Sequence, residues 1–316
     1  MLYDLVSLRN SLRERTLPDD AVKALTDLKN SIAAIKTTVD NISTNHTQYI
    51  DSIIAHYDAL IKQAQLPVEQ NKAIIAELDE SINKIAHELY NENYVMEQHE
   101  LTDNVVTADF VREKRSLIIN EDTEHIIKQK ILLYTNWRYP ALELGCRDGE
   151  WTQYMVASDP LYIMDKFPEF LENTGSKFPN LYNNRLRKYL IKNYNLSALP
   201  QNQFSFVFSF GYFNHLSLDT ITQYLKQIYN LLRPGGVFLF TYNDGDTLAG
   251  AGMAEHRAQT FIPKSILVPT CLGSGFEVLG ELQPQNNISL LEIKKPGNLK
   301  TVKSHQVLGE IKRREN

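Results

Sequence analysis

Residues 141–149 read ALELGCRDG, and this stretch decides the fold. The apolar run predicts a buried strand over Ala141–Leu144 in which Glu143 is the single charged residue. Gly145 and Gly149 then predict a tight turn into the next element. Glycines at such a turn allow a ligand to approach the backbone, because a Cβ would collide with it. A carboxylate just before the turn suits a ligand that carries a positive charge.

The second half of the chain alternates short apolar runs with helical stretches. This alternation predicts the α/β class, with a mostly parallel sheet that helices cover on both faces. Ligands of such sheets bind outside the carboxyl ends of the strands. Helices are expected near 150–157, 168–175, 218–232 and 260–274. Seven strands are expected, of which the last two form an antiparallel edge pair: Ala141–Leu144, Leu161–Asp165, Leu186–Ile191, Phe204–Phe210, Val237–Thr241, Phe276–Leu282 and Ile288–Ile293.

Four motifs, of which the opening stretch is the first, follow one another in a fixed order. They are Glu143-x-Gly145-x-Arg147-x-Gly149, Asp165 at the end of the second strand, the loop Asn195–Pro200, and the segment Phe204–His215 followed by Leu231–Gly236, which reads LLRPGG. In this order they resemble the class I S-adenosylmethionine-dependent methyltransferases, in particular the type 11/12-like group, over about residues 120–296. The resemblance implies a seven-stranded Rossmann-like methyltransferase sheet and S-adenosylmethionine as the cofactor.

The resemblance assigns roles to the first two strand ends. Asp165 is expected to accept hydrogen bonds from the two ribose hydroxyls. Gly145 and Gly149 are expected to admit the methionine end of the cofactor, and Glu143 to orient the turn and favour the ammonium group.

The later motifs complete the implied site. Asn195 is expected to meet the adenine amino group, and Leu196 to give it an apolar face. Phe210 is expected over the sulfonium or the adenine, with a place in the sheet core as the alternative. His215 is the candidate catalytic general base, with a helix-capping or surface role as the alternative. No metal ligands are expected.

Three positions depart from the family pattern: Arg147 replaces a glycine, and Asn195 and Ser205 replace aspartates. They leave two functions open. The first is a methyltransferase whose acceptor is a small molecule or a protein, held in an oligomer by a helical arm. The second is a structural or assembly protein, for example of a phage-like particle, that carries a degenerate methyltransferase fold. A nicotinamide or flavin domain is disfavoured because its glycine spacing differs, and residues 209–212 lack the signature of amino-directed nucleic-acid methyltransferases.

The first hundred residues predict long helices. Apolar residues recur at alternating steps of three and four over Leu25–Leu60, which is a heptad pattern. Pro67 interrupts the pattern, and a second one follows over Val68–Met96. A short leading helix is expected to end near Pro18. The helices either fold back as a hairpin within one chain or associate as a parallel coiled coil between chains.

These patterns predict four parts: a helical coiled-coil arm (1–100), a connector (101–123), a methyltransferase-like domain (124–296) and a basic C-terminal tail (297–316). Residues 19–100 are expected to join copies of the chain into a homo-oligomer. A trimer is favoured over a dimer because isoleucine occupies both apolar positions of the heptad.

Composition bounds the remaining classes. The net charge of −5 makes a nucleic-acid partner unexpected. The two cysteines, Cys146 and Cys271, indicate a reducing compartment. No signal peptide and no membrane span is expected, so the predicted location is the cytoplasm, or a virion for the assembly alternative. Asp244 and Asp246 predict a polar turn or a metal or acceptor site, and residues 250–257 a mobile lid.

Overall fold

The computed structural model describes residues 2–15, 26, 27, 29, 30, 55, 58, 69–84, 106–285 and 288–299. The chain forms two compact units, Met1–His87 and Glu88–Asn316. Most of the predicted coiled-coil arm and nearly all of the predicted basic tail lie outside the described residues. No helix in the described ranges is long and apolar enough to cross a membrane.

The second unit is built on one seven-stranded sheet, as the sequence predicts. Its strands are β1 (Ala141–Leu144), β2 (Leu161–Asp165), β3 (Arg187–Leu190), β4 (Phe204–Ser209), β5 (Leu232–Tyr242), β6 (Glu277–Gln285) and β7 (Ile288–Lys294). The spatial order is β3-β2-β1-β4-β5-β7-β6. The first five strands are parallel, and β7 runs antiparallel to both β5 and β6. The order therefore reverses between β1 and β4, where such sheets bind ligands.

Beside the helical segment 69–84, eight helices have both ends within the described residues. They are α1 (Leu2–Arg15), α2 (Ala108–Lys114), α3 (Glu121–Tyr134), α4 (Pro168–Ser176), α5 (Asn180–Asn183), α6 (Leu218–Leu231), α7 (Leu248–Glu255) and α8 (Lys264–Gly273). The helix expected near 150–157 is wrong, because only a 3₁₀ turn forms there, Thr152–Tyr154. Trp151 packs inward at the start of this turn, with its ring centroid 5.0 Å from that of Phe210.

Both faces of the sheet are buried, which explains why its central strands are apolar at nearly every position. On β5, Phe238 and Phe240 point into the core beneath α6 and α8. Val237 and Leu239 point to the opposite face, where α3 places Ile127. Each fully buried side chain of this size contributes roughly 1.5–3 kcal/mol to folding, so the core holds the strand ends rigidly.

The first unit contains helix-to-helix contacts within one chain. The guanidinium of Arg9 on α1 is buried and lies 3.1 Å from the carboxylate of Asp79, in the helical segment 69–84. Lys29 and Asp58 form an ion pair of 2.5 Å. Most of the segment between these two residues lies outside the described residues, so the choice between a hairpin within one chain and a coiled coil between chains stays a prediction.

Candidate functional site

A crevice of about 460 Å³, part of it open to solvent, lies at the carboxyl ends of β1, β2 and β4. Helix α2 contributes one wall. The residues on which its chemistry depends are Arg115, Arg147, Asp165, Lys166, Tyr212 and His215.

The turn after β1 adopts the backbone that its glycines predict. Gly145 and Gly149 have φ of +78° and +77°, in the left-handed region that favours glycine. A Cβ on Gly145 would lie 2.7 Å from the side chain of Tyr212, and one on Gly149 would lie 2.7 Å from Thr174. The glycines thus permit close packing within the protein. Gly145 also lines the crevice, whereas Gly149 lies behind it.

Asp165 closes β2 and is buried at the crevice. Its Oδ2 accepts a hydrogen bond from the backbone N–H of Arg147 at 2.9 Å, and its Oδ1 accepts one from Phe167 at 3.2 Å. Burial raises the pKa of Asp165 above its ordinary value, and these N–H donors oppose the rise. A carboxylate has about four acceptor sites, so the side chain retains capacity for ligand hydroxyls.

Arg147 directs its side chain away from the turn. Its φ of +48° is left-handed, which for a residue other than glycine costs about 1–3 kcal/mol. The guanidinium donates to the carbonyl of Val111 at 3.0 Å and to Ser116 Oγ at 2.7 Å. It therefore ties the glycine turn to α2. Burial lowers the pKa of Arg147.

A second arginine fixes α2 to the same turn. The guanidinium of Arg112 donates two hydrogen bonds to the carboxylate of Asp148, at 2.7 and 3.0 Å. Hydrogen bonding to Arg112 holds the pKa of Asp148 below its usual range. A bidentate pair of this kind is both strong and directional, so α2 and the glycine turn form one wall of the crevice.

Glu143 lies behind the crevice and does not line it. It is 1% exposed, and its carboxylate accepts a hydrogen bond from Thr152 Oγ1. Burial raises the pKa of Glu143 to about 8, although the hydrogen bond from Thr152 acts in the opposite direction. Glu143 could therefore affect a ligand ammonium only across the glycine turn, and not by the direct contact that was expected.

Three other expected contacts also lie outside the crevice. Asn195 is exposed, and its Oδ1 accepts a hydrogen bond from Ser197 N at 2.8 Å. Leu196 is buried in the core. Phe210 packs against Trp151 in the core on the other face of the sheet, which was the alternative place for it. Asn195 does not reach the crevice because its side chain bonds within its own loop. Phe210 lies on the other face because side chains alternate between the two faces of the sheet along β4.

A shallow depression adjoins the crevice beside β3. Lys166, Asn193 and Tyr194 line it, and Lys166 lines the crevice as well. The Lys166 ammonium lies 4.5 Å from the ring centroid of Tyr194 and 5.6 Å from that of Tyr212. Lys166 follows Asp165 at the edge of the sheet, and the resemblance implies that the adenine end of a cofactor lies there.

His215 stands at the crevice on a 3₁₀ turn, Phe213–His215. It is 7% exposed, and it makes a contact of hydrogen-bonding type with the backbone of Arg115, which acts to raise its pKa. Burial lowers its pKa well below the usual value, and the positive charges of Arg115, Arg147 and Lys166 lower it further. The imidazole is therefore neutral at neutral pH and retains a nitrogen that can accept a proton.

A buried polar network holds this turn in place. Asn214 accepts a hydrogen bond from Thr241 Oγ1 at 2.8 Å and donates one to Gln259 Oε1 at 2.9 Å. Thr241 Oγ1 also accepts from the N–H of Gly211 at 2.7 Å. The ends of β4 and β5 thus position His215 together.

Sequence reasoning missed Arg115 and Lys166. Lys166 could have been found from its place directly after Asp165, whereas nothing in the pattern of the connector marks Arg115.

Asp244 and Asp246 form a polar turn whose carboxylates accept hydrogen bonds from the N–H groups of Lys264 and Ser265 at the start of α8. Among the described residues, no group of three His, Cys, Asp or Glu could hold a metal ion. The expected lid, 250–257, is largely helix α7.

Comparison with known proteins agrees with this geometry. Residues 142–238 match the family model described as a methyltransferase domain, so this part of the chain carries a methyltransferase domain. A comparison with curated proteins found no match.

Solved structures give remote matches. A methyltransferase from Mesorhizobium loti is 12% identical with a TM-score of 0.47, and covers 55% of this chain and 99% of its own. One described as a putative S-adenosylmethionine-dependent methyltransferase, from Listeria monocytogenes, is 14% identical with a TM-score of 0.46, and covers 54% and 96%. A geranyl diphosphate C-methyltransferase from Streptomyces coelicolor is 6% identical with a TM-score of 0.47, and covers 55% and 78%. At such low similarity nothing about this chain's substrate follows from them.

The raised pKa of Glu143 predicts a pH-dependent stability. The folded state keeps a proton that the unfolded state releases above its ordinary pKa of 4.5, so stability falls as pH rises toward about 8. Glu143→Gln retains an acceptor for Thr152 and removes this dependence. In urea titrations we compare the free energy of unfolding of Glu143→Gln with that of wild type at pH 5 and at pH 8. We expect the difference to be at least about 1 kcal/mol more favourable to the variant at pH 8 than at pH 5. Glu172→Gln, which removes an exposed carboxylate on α4, is the control. Parallel pH curves for Glu143→Gln and wild type would contradict the prediction.

The contacts of Arg147 predict a specific effect on α2. Arg147→Ala and Arg147→Gly both remove the guanidinium, and in both we expect faster amide hydrogen exchange over Ala108–Lys114. Only glycine also relieves the left-handed strain, so Arg147→Gly should be about 1 kcal/mol more stable than Arg147→Ala. Unchanged exchange in α2 for both variants would show that Arg147 does not hold this helix.

Proposed function

We propose that the protein transfers a methyl group from S-adenosylmethionine bound in the crevice between β1, β2 and β4. One observation carries the proposal: the Arg147 N–H of the glycine turn donates to the carboxylate that ends β2, at 2.9 Å. This bond holds the glycine turn and Asp165 side by side at one crevice, where the strand order of the sheet reverses. The match of residues 142–238 to a methyltransferase domain supports the same activity.

The residues at the crevice suit this cofactor. Asp165 would accept the ribose hydroxyls, which are donors that a buried carboxylate binds well. Gly145 and Gly211 expose backbone along the edge where the methionine end would lie, and both have positive φ. Lys166 and Tyr194 border the depression where the adenine end would lie. Asn195 and Leu196 would take part in holding the adenine only through backbone groups of their loop.

The cofactor supplies an activated methyl group, so the protein's task is to align the acceptor and exclude water. Phe167, Phe170 and Leu216 make the crevice wall apolar around the polar groups. His215, neutral and buried, would accept the proton from an acceptor that has to lose one. Arg147 does not obstruct the crevice from the turn, because its guanidinium is bonded to α2. The departure from glycine is therefore compatible with activity.

Cofactor binding tests the proposal directly. In isothermal titration with S-adenosylmethionine we expect micromolar affinity for the full-length chain, and at least a tenfold loss in Asp165→Ala, about 1.4 kcal/mol. Glu169→Ala removes an exposed carboxylate at the start of α4, on the same edge of the sheet, and should bind as wild type does. Absence of heat with the wild-type chain would instead favour an assembly protein with a degenerate fold.

We further propose that residues 19–100 join copies of the chain in the cytoplasm, and that the acceptor is a small molecule or a protein. The heptad pattern of this segment supports self-association, and helices that fold back within each chain can still present an apolar stripe to a second copy. In sedimentation equilibrium we expect an oligomer, with a trimer favoured over a dimer. Ile35→Glu with Ile42→Glu should lower the mass, whereas Lys36→Glu, off the predicted stripe, should not. A monomeric wild-type chain would contradict the proposal.

A further inference from the structure

One edge of the sheet is open to a further strand. Among the described residues, the strand β3 pairs with β2 alone. The N–H of Ile191 donates to the carbonyl of Asp165 at 2.8 Å, and by alternation the N–H and C=O groups of Lys188 and Leu190 point away from the sheet. Within the part of the chain that the structure describes, these outward groups have no backbone partner. The edge therefore offers two donors and two acceptors to an extended chain.

The surface at this edge is basic although the chain as a whole is acidic. Residues 173–218 contain five lysines and arginines and no aspartate or glutamate, in a chain of net charge −5. Arg185 is paired with Asp159. Arg187, which begins β3, and Lys192, which follows its end, are exposed and form no ion pair with a described residue. At about 3.3 Å per residue these two cations lie roughly 16 Å apart along the edge, so they attract an acidic partner that is extended.

Apolar and aromatic side chains lie between the two cations. Leu190 is 39% exposed at the carboxyl end of β3. Tyr189 stacks on Tyr162 of β2, with their ring centroids 5.9 Å apart, and both rings are partly exposed. Because successive side chains of a strand point to opposite faces, an added strand would find an apolar neighbour on each face of the sheet.

These features discriminate between kinds of partner. A second copy of β3 would bring cations against cations, and lysine or arginine on an edge strand opposes such pairing. An acidic segment meets no such repulsion and is attracted by the same side chains. A nucleic acid could neutralise the cations, but it lacks the backbone N–H and C=O pattern that would match the outward groups of β3. A polypeptide therefore fits the edge better.

We propose that the outer edge of β3 is a docking site for an extended acidic segment of a partner protein, which adds to the sheet as a further strand. Its backbone exchanges hydrogen bonds with Lys188 and Leu190, and its apolar side chains pack beside Tyr189 and Leu190. Its carboxylates lie against Arg187 and Lys192. Lys192 also lines the depression beside the crevice, so the partner is held next to the cofactor site and outside it. This docking does not require the cofactor and goes beyond the proposed function.

Matched peptides test the charge. The full-length chain, without S-adenosylmethionine, is titrated calorimetrically with peptides of about ten residues that alternate glutamate with valine, threonine or leucine. Each peptide is compared with a version that carries lysine in place of glutamate. We expect at least one acidic peptide to bind about tenfold or more tightly than its lysine version.

Methylated peptides test the backbone. Only every second residue of an added strand directs its N–H and C=O toward β3. The best acidic peptide is therefore made in two versions, each methylated on one alternate set of backbone nitrogens. We expect one version to lose binding and the other to retain it. Equal effects of the two methylations would show that the peptide is held by charge and not as a strand.

Charge variants locate the site. Arg187→Gln with Lys192→Gln should weaken binding of the acidic peptide about tenfold or more. The matched control, Lys264→Gln with Lys294→Gln, also removes two positive charges, but at the end of the sheet formed by β6 and β7. It should bind the peptide as wild type does.

Backbone amides give a direct readout on the wild-type chain. Hydrogen exchange at Lys188 and Leu190 should slow when the acidic peptide binds, whereas exchange in α6 should not change. Leu190→Pro removes an outward N–H that the sheet does not use, which an edge strand tolerates. It should bind the peptide less tightly than Leu190→Ala, which keeps the N–H.

Four results would overturn this docking site. They are equal binding of acidic and lysine peptides, no binding of any acidic peptide, an affinity that the double glutamine variant at the edge leaves unchanged, and binding of a single-stranded oligonucleotide in place of the peptides. Each is measured without S-adenosylmethionine, so a failure of the proposed function would be seen separately, in the cofactor titration.

Discussion

The hydrogen bond between the Arg147 amide and the Asp165 carboxylate is the contact on which the site depends. It requires a left-handed backbone at Arg147, which the turn between Gly145 and Gly149 imposes. It also requires β1 and β2 to end at the same level, which their parallel register provides by pairing Leu144 with Met164. The sheet therefore fixes the carboxylate in place, and the turn gives it donors that keep it able to bind hydroxyls.

The same turn explains how a chain with arginine in place of glycine can keep an open crevice. The left-handed conformation costs free energy, but it sends the side chain toward α2, where two acceptors receive its guanidinium. Helix α2 is fastened a second time by Arg112 and Asp148. A segment that precedes the sheet in sequence thus becomes a wall of the site, and it brings Arg115 to within electrostatic range of His215.

The sequence predicts the sheet well because its strands are buried on both faces, so their apolar runs are continuous and their order follows from the alternation with helices. Asp165 and Gly145 are predictable for the same reason, since each closes a strand. The places of the Asn195 and Phe210 side chains are not predictable in this way. The direction of a side chain depends on local turns and on the alternation of faces along a strand, and the spacing of motifs reports neither. Arg115 escapes prediction because its place at the site arises from tertiary contacts of a short helix outside the motifs.

Charge then sets the protonation state of the candidate base. Burial lowers the pKa of the His215 imidazole, and the positive charges of Arg115, Arg147 and Lys166 lower it further. The imidazole therefore stays neutral at neutral pH and keeps a nitrogen that can accept a proton. Because its pKa is low, it releases a proton readily once it has accepted one, and it does not hold a proton from solvent before an acceptor arrives.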